Sequence, residues 1–144
     1  MGDNLHRYFL EELKVGMTAS YAKTVTEADV ILFAGISGDN NPVHVDEEFA
    51  TQTRFKGRIV HGIFSAGLIS CVAGTRLPGP GAVYVDQSLR FRAPVRIGDT
   101  VTAVCTIREI NYERSRVIMD TVCTVKGKIV VEGSATFLVE RRPA

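Results

Sequence analysis

The chain predicts an α+β fold in which an antiparallel β-sheet wraps around one long central helix. Three features of the 144-residue sequence carry that expectation. Residues 63–75 are apolar on nearly every side, which marks a helix buried on most of its faces. Residues 83–139 read as successive strands separated by turn signals. The part before the apolar helix offers one strand-like stretch and two short, acid-led helices. A sheet of this size must bury one face, and residues 63–75 form the one strongly apolar helix on offer.

The elements follow in order. Thr18 to Val25 reads as an extended segment. Thr26-Glu-Ala-Asp29 resembles a helix start, with Thr26 as cap and acids in the first turn, where the helix end favours negative charge. This helix is expected to run to about Ala34, with Gly35 and Gly38 stopping it. Asp46-Glu-Glu-Phe-Ala-Thr51 reads as the second short helix. The apolar helix begins near Gly62 and ends before the turn cluster Pro78-Gly-Pro-Gly81. Val83, Val85, Gln87, Leu89 and Phe91 then alternate with their neighbours at strand period. Residues 100–110 and 117–125 are rich in strand formers, and Lys126-Gly-Lys128 is a hairpin turn into residues 129–139. The expected arrangement is a four-strand meander, with the early strand free to join it. Such a sheet has exposed edges, which invite association unless covered. A homodimer is expected, with two sheets paired or two helices packed back to back.

Composition narrows the function classes. The length fits one domain, residues 1–144, with one core. A net charge of +1 gives no reason to invoke nucleic acid or an anionic membrane. No apolar run reaches the length of a bilayer span. The start, Met1-Gly-Asp-Asn-Leu-His-Arg7, lacks the apolar core of a signal peptide. Met1-Gly2 opens like a myristoylation site, but His6 stands where Ser or Thr is required. Cys71, Cys105 and Cys123 are far apart, odd in number and set in apolar surroundings. They read as reduced core residues of a cytoplasmic protein.

The most informative stretch is Ser37-Gly-Asp-Asn-Asn-Pro-Val-His44. It holds a carboxylate, Asp39, and an imidazole, His44, five residues apart. Residues five apart do not share a helical face. Pro42 would also interrupt a helix and disfavour helical geometry at Asn41. The stretch therefore reads as a turn between two short helices. An acid and an imidazole converging on one small volume is what water activation or proton transfer needs. Taken alone, Asp39 also suits a turn residue that bonds its own backbone.

Phe33-Ala-Gly-Ile-Ser-Gly-Asp-Asn-Asn-Pro-Val-His44, followed by Ala50, resembles the signature of the MaoC-like (R)-specific enoyl-CoA hydratases. Ile59-Val-His-Gly62 and Pro94-Val-Arg-Ile-Gly-Asp99 look like two further segments of that family. The resemblance covers about Phe9 to Leu138. It implies the hot-dog fold, a homodimer, and addition of water across trans-2-enoyl-CoA to give (R)-3-hydroxyacyl-CoA. It also implies that Asp39 and His44 are the catalytic pair, that Gly62 supplies an oxyanion-binding N–H, and that Ser70 is a polar active-site residue on the helix.

The chemistry fits those roles. Asp39 suits base work if burial raises its affinity for a proton. His44 can hold the same water and exchange a proton near neutral pH. Which of the two is the base stays open at the level of sequence. Gly62 stands at a helix start, where unpaired N–H groups and a partial positive charge suit an enolate oxygen, or where glycine only permits a tight approach. Ser70 either back-bonds to a carbonyl one turn earlier or touches the site. Asn41 is expected to shape the turn through side-chain to backbone bonds, and His61 reads as structural. Arg54, Lys56, Arg58 and Arg92 are candidates for the phosphates of coenzyme A. Asp39, His44, Asp46 and His61 fit no common zinc spacing, so no metal is expected, and coenzyme A enters only as part of the substrate. An acyl-carrier-protein dehydratase, a hot-dog thioesterase and a non-catalytic scaffold subunit are the competing readings.

Overall fold

The computed structural model describes residues 5–144; the readings made on Met1 to Asn4 lie outside the described residues. Six strands form one antiparallel sheet: β1 (Thr18–Thr24), β2 (Val83–Gln87), β3 (Arg90–Phe91), β4 (Thr100–Asn111), β5 (Arg116–Val125) and β6 (Lys128–Leu138). Their spatial order is β1–β4–β5–β6–β2, with β3 also on β6. The helices are α1 (Glu27–Ser37), α2 (Pro42–Val45), α3 (Glu47–Thr51) and α4 (Gly62–Thr75), with a short 3₁₀ turn at Leu10–Glu12.

Strand period explains how the sheet holds α4. On β4, Val101, Ala103, Cys105 and Ile107 are buried, while the residues between them are only partly covered. On β5 the buried set is Val117, Met119, Thr121 and Cys123. The apolar members of these inward rows belong to one cluster with Leu68, Ile69, Val72 and Ala73 of α4. Full burial of Ile69 and Val72 is worth about 1.5–3 kcal/mol each. Burial pushes the Cys105 and Cys123 thiols up to about 12, so both behave as inert core residues. Cys71 is half-buried on α4.

Four expectations need correction. The strands do not form a four-strand meander: β4, β5 and β6 do, but β2 lands beside β6 rather than β4. The chain leaves the sheet between β3 and β4. Pro94 has no N–H to give to a ladder. Val95 instead accepts from Val60 N at 2.7 Å, tying this stretch to the loop before α4. Second, α1 passes through Gly35 and ends at Ser37, because Gly38 (φ 79°) takes the left-handed cap position and its N–H reaches Ala34 O.

Third, His44 lies on a one-turn helix rather than in an open turn. Pro42 occupies the first position of α2, where its missing N–H costs nothing. Fourth, α4 is not buried on most sides. The sheet covers one face, and Ile63, Gly67, Ser70 and Gly74 line an exposed one. The edge strand β2 is exposed as well, with Val83, Tyr84 and Val85 open.

Candidate active site

The Asp39–His44 turn is built by its own polar side chains. The Asn41 side chain caps α2 by accepting from Val43 N at 3.1 Å. The Asp39 carboxylate accepts from Asn41 N at 3.3 Å, so Asp39 also fills the alternative role of a turn residue bonding its own backbone. Asp46 caps α3 through Phe49 N. These bonds turn the chain sharply enough for His44 to point inward, where it is 8% exposed. Arg58 fastens the same element from outside: its Nε donates to His44 O at 2.6 Å and its two terminal nitrogens donate to Glu27 at 2.9 Å.

The structure brings Asp39 and His44 together and adds a third residue. Side-chain donor atoms of Asp39, His44 and His61 all lie within 4.8 Å of one another. Asp46, occupied with its cap, is outside that set. The His44 and His61 rings stack with centroids 3.9 Å apart and an interplanar angle of 29°. His44 Nδ1 meets Ile59 O at 2.7 Å. A carbonyl can only accept, so Nδ1 carries the proton and Nε2 keeps a lone pair. His61 Nε2 likewise donates to the Asp39 carbonyl at 2.8 Å. Each ring thus has one nitrogen committed to a backbone carbonyl and the other, Nε2 of His44 and Nδ1 of His61, without a hydrogen-bond partner among the described residues.

Burial is the largest influence on His44 and lowers its pKa; the nearby His61 acts in the same direction, while the Ile59 bond and the Asp39 carboxylate oppose it. The imidazole is therefore held neutral, as an acceptor, at ordinary pH. Asp39 is exposed in the single chain, so the burial expected of a catalytic carboxylate is not supplied by this chain's own residues.

A cavity of about 390 Å³ opens beside the cluster, lined by His44, Gly62, Ser65, Phe91, Arg54 and Arg92 among others. It runs to the first residue of α4, whose preceding residue, His61, makes no side-chain cap. The first N–H groups of that helix have no intrahelical partner. A Cβ on Gly62 would lie 2.5 Å from the Phe91 ring, so any side chain there would have to displace that ring.

The other expected site residues divide. Ser70 is exposed on the open face of α4 and is not among the cavity's lining residues. Its hydroxyl reaches solvent, so the argument that a buried hydroxyl must find a partner does not apply to it. Ser65 holds the polar position in the cavity wall instead; it is fully buried and its hydroxyl has no partner among the described residues. The signal was present, because Ser65 stands three residues after Gly62 and shares its helical face. Of the basic candidates, Arg54 and Arg92 line the cavity and Lys56 does not. Arg58 is committed to Glu27 and His44. Arg96 was not anticipated: its guanidinium donates to the carbonyls of Phe55, Gly57 and Arg58 and so holds the cavity's rim loop.

Comparison with known proteins bears on the family and the fold. Residues 9–132 match the family described as MaoC like domain. The chain is 56% identical over 140 residues to an (R)-specific enoyl-CoA hydratase from Rhodospirillum rubrum, covering 97% of each chain. It is 48% identical over 134 residues to a 3-hydroxybutyryl-CoA dehydratase from Methylorubrum extorquens, covering 93% of this chain and 85% of the relative. Among solved structures, an unliganded R-hydratase from Pseudomonas aeruginosa superposes with a TM-score of 0.90 at 41% identity, covering 96% of this chain and 89% of that one.

Proposed function

The chain belongs to the MaoC-like (R)-specific enoyl-CoA hydratase family, and from that premise we propose how its residues divide the work of a reversible hydration. The enzyme is a hydro-lyase that adds water to trans-2-enoyl-CoA and gives (R)-3-hydroxyacyl-CoA. One observation carries the assignment of the site. A neutral His44 presents an acceptor nitrogen beside the Asp39 carboxylate, at the edge of a cavity that reaches the start of α4.

Two acceptors facing one water take both of its hydrogens and leave an oxygen lone pair for attack. The water oxygen bonds to the β-carbon of the enoyl thioester, and its proton passes to the Asp39–His44 pair. The electrons of the double bond move onto the thioester oxygen, which the Gly62 N–H and the start of α4 stabilise as an enolate. The held proton then returns to the α-carbon. Neither a metal nor a prosthetic group is needed for these steps.

Arg54 and Arg92 line the cavity and are our candidates for the phosphates of coenzyme A, Arg92 being also paired with Glu132. The open faces of α4 and β2 support a homodimer. Ser70, exposed on the open face of α4, can serve the reaction only if a second copy packs against that face. The three free thiols support a cytoplasmic setting.

Crotonyl-CoA tests the proposal. The enoyl absorbance should disappear without release of free thiol, and an (R)-specific but not an (S)-specific dehydrogenase should trap the product. Release of free thiol would identify a thioesterase instead.

A further inference from the structure

His61 sits at the cap position of α4, beneath the Asp39–His44 turn. It is 2% exposed, and its Nδ1 is buried without a partner among the described residues. Leaving a buried polar atom unpaired is costly, and an apolar side chain in the same space would avoid that cost. What the imidazole does instead is touch both members of the catalytic pair. Its Nε2 holds the Asp39 carbonyl at 2.8 Å, and its face lies against the His44 ring at 3.9 Å. Phe33 backs it, with ring centroids 4.8 Å apart.

We propose that His61 is a positioning residue for the hydration, clamping the Asp39 backbone on one side and the His44 ring on the other so that both side chains meet the same water. The inference rests on the Asp39–His44 reading above. His61 touches no reacting atom. It acts because Asp39 stands in an exposed turn whose carbonyl has this one side chain to hold it, and because His44 has a free face that the second ring covers.

The ionisable groups around His44 are Asp39 from the turn, His61 from the cap of α4, Arg58 on the His44 carbonyl and Arg54 on the cavity wall. Of these, His61 opposes protonation of His44. Removing it should therefore change both geometry and titration, whereas a purely structural residue would change only the folded fraction.

The test uses His61→Phe, which keeps a stacked ring but loses the donor, and His61→Gln, which keeps an N–H but loses the ring. With crotonyl-CoA, kcat should fall roughly 100-fold in His61→Phe, the scale set by a misplacement of about 1 Å, while KM changes little. His61→Gln should recover part of that loss. In both, the acid limb of the kcat/KM profile should move to higher pH. Wild-type kcat with an unmoved acid limb would overturn the proposal. So would activity lost only in proportion to unfolded protein. If His61→Phe does not fold, His61→Gln decides by the same acid limb. Asp39→Asn and His44→Gln are run beside them. If those two retain wild-type turnover, the catalytic-pair reading itself falls. If they are inactive while both His61 variants behave as wild type, only the positioning role falls.

Discussion

His44 Nδ1 lies 2.7 Å from the carbonyl oxygen of Ile59, and that bond decides which ring nitrogen faces the site. Burial keeps the ring neutral by lowering its pKa below the ordinary 6.5. The acid limb of kcat/KM is therefore expected to have a midpoint below 6.5. Nitrogen NMR of the imidazoles should show the Nδ1–H tautomer for His44. A midpoint above the ordinary histidine value would contradict this account.

The same shift has a consequence for stability. An unfolded His44 takes up a proton near 6.5, before the folded one does. Below that pH the unfolded state binds more protons, so stability falls as pH falls. The contribution is complete above 6.5 and is lost as the pH drops toward the lower folded value. Urea midpoints measured against pH should show a shallower acid-side loss in His44→Gln than in the wild type.

Asp39→Asn and His44→Gln are each expected to lower turnover by about 100- to 10,000-fold, the range typical of general acid–base groups. Asp39→Asn keeps an oxygen for the Asn41 N–H, so the turn should survive. Thermal melting close to wild type, together with lost turnover, is the expected pair of results.

Gly62→Ala would drive a methyl group into the Phe91 ring, which is 53% exposed and free to swing. The variant should lose activity while keeping its fold, because the displaced ring enters the cavity. Phe91→Ala in the same background should restore part of the loss. A double-mutant cycle with additive effects would show that the ring is not the cause.

Arg58→Ala removes one hydrogen bond to α2, at the His44 carbonyl, and two to Glu27 of α1. Glu27 is largely exposed, which weakens its share. A loss of about 1–2 kcal/mol is expected, most of it from the bond to the His44 carbonyl. Arg58→Lys should not restore it, since one ammonium cannot reproduce the forked geometry. Denaturant midpoints measure both.

Gly67→Arg probes the open face of α4. Nothing lies within 4 Å of a Cβ built there, so the isolated chain accommodates the substitution. If this face joins two copies, light scattering should report a dimer for the wild type and a monomer for the variant, with unchanged circular dichroism.

Local chemistry made much of this legible without coordinates. The Thr26 cap, the acid-led start of α3, the extent of α4 and the Lys126-Gly127 hairpin all depend on residues close together in the chain, and all stand where the sequence places them. The convergence of Asp39 and His44 was legible for the same reason, since five residues and a proline leave the turn few ways to fold. What needed the tertiary structure was every relation between distant segments. β2 pairs with β6, and Val95 and Arg96 tie the stretch before β4 to the loop before α4. Ser65 rather than Ser70 faces the cavity because the sheet covers one side of α4 only. His61 joins Asp39 and His44 because α4 begins beneath their turn, 22 residues further along the chain than Asp39. Hydrogen-bond propensity and hydrophobic period act over a few residues, so they specify elements. Which faces of those elements meet depends on how one sheet closes over one helix, and that is settled only when the whole core packs.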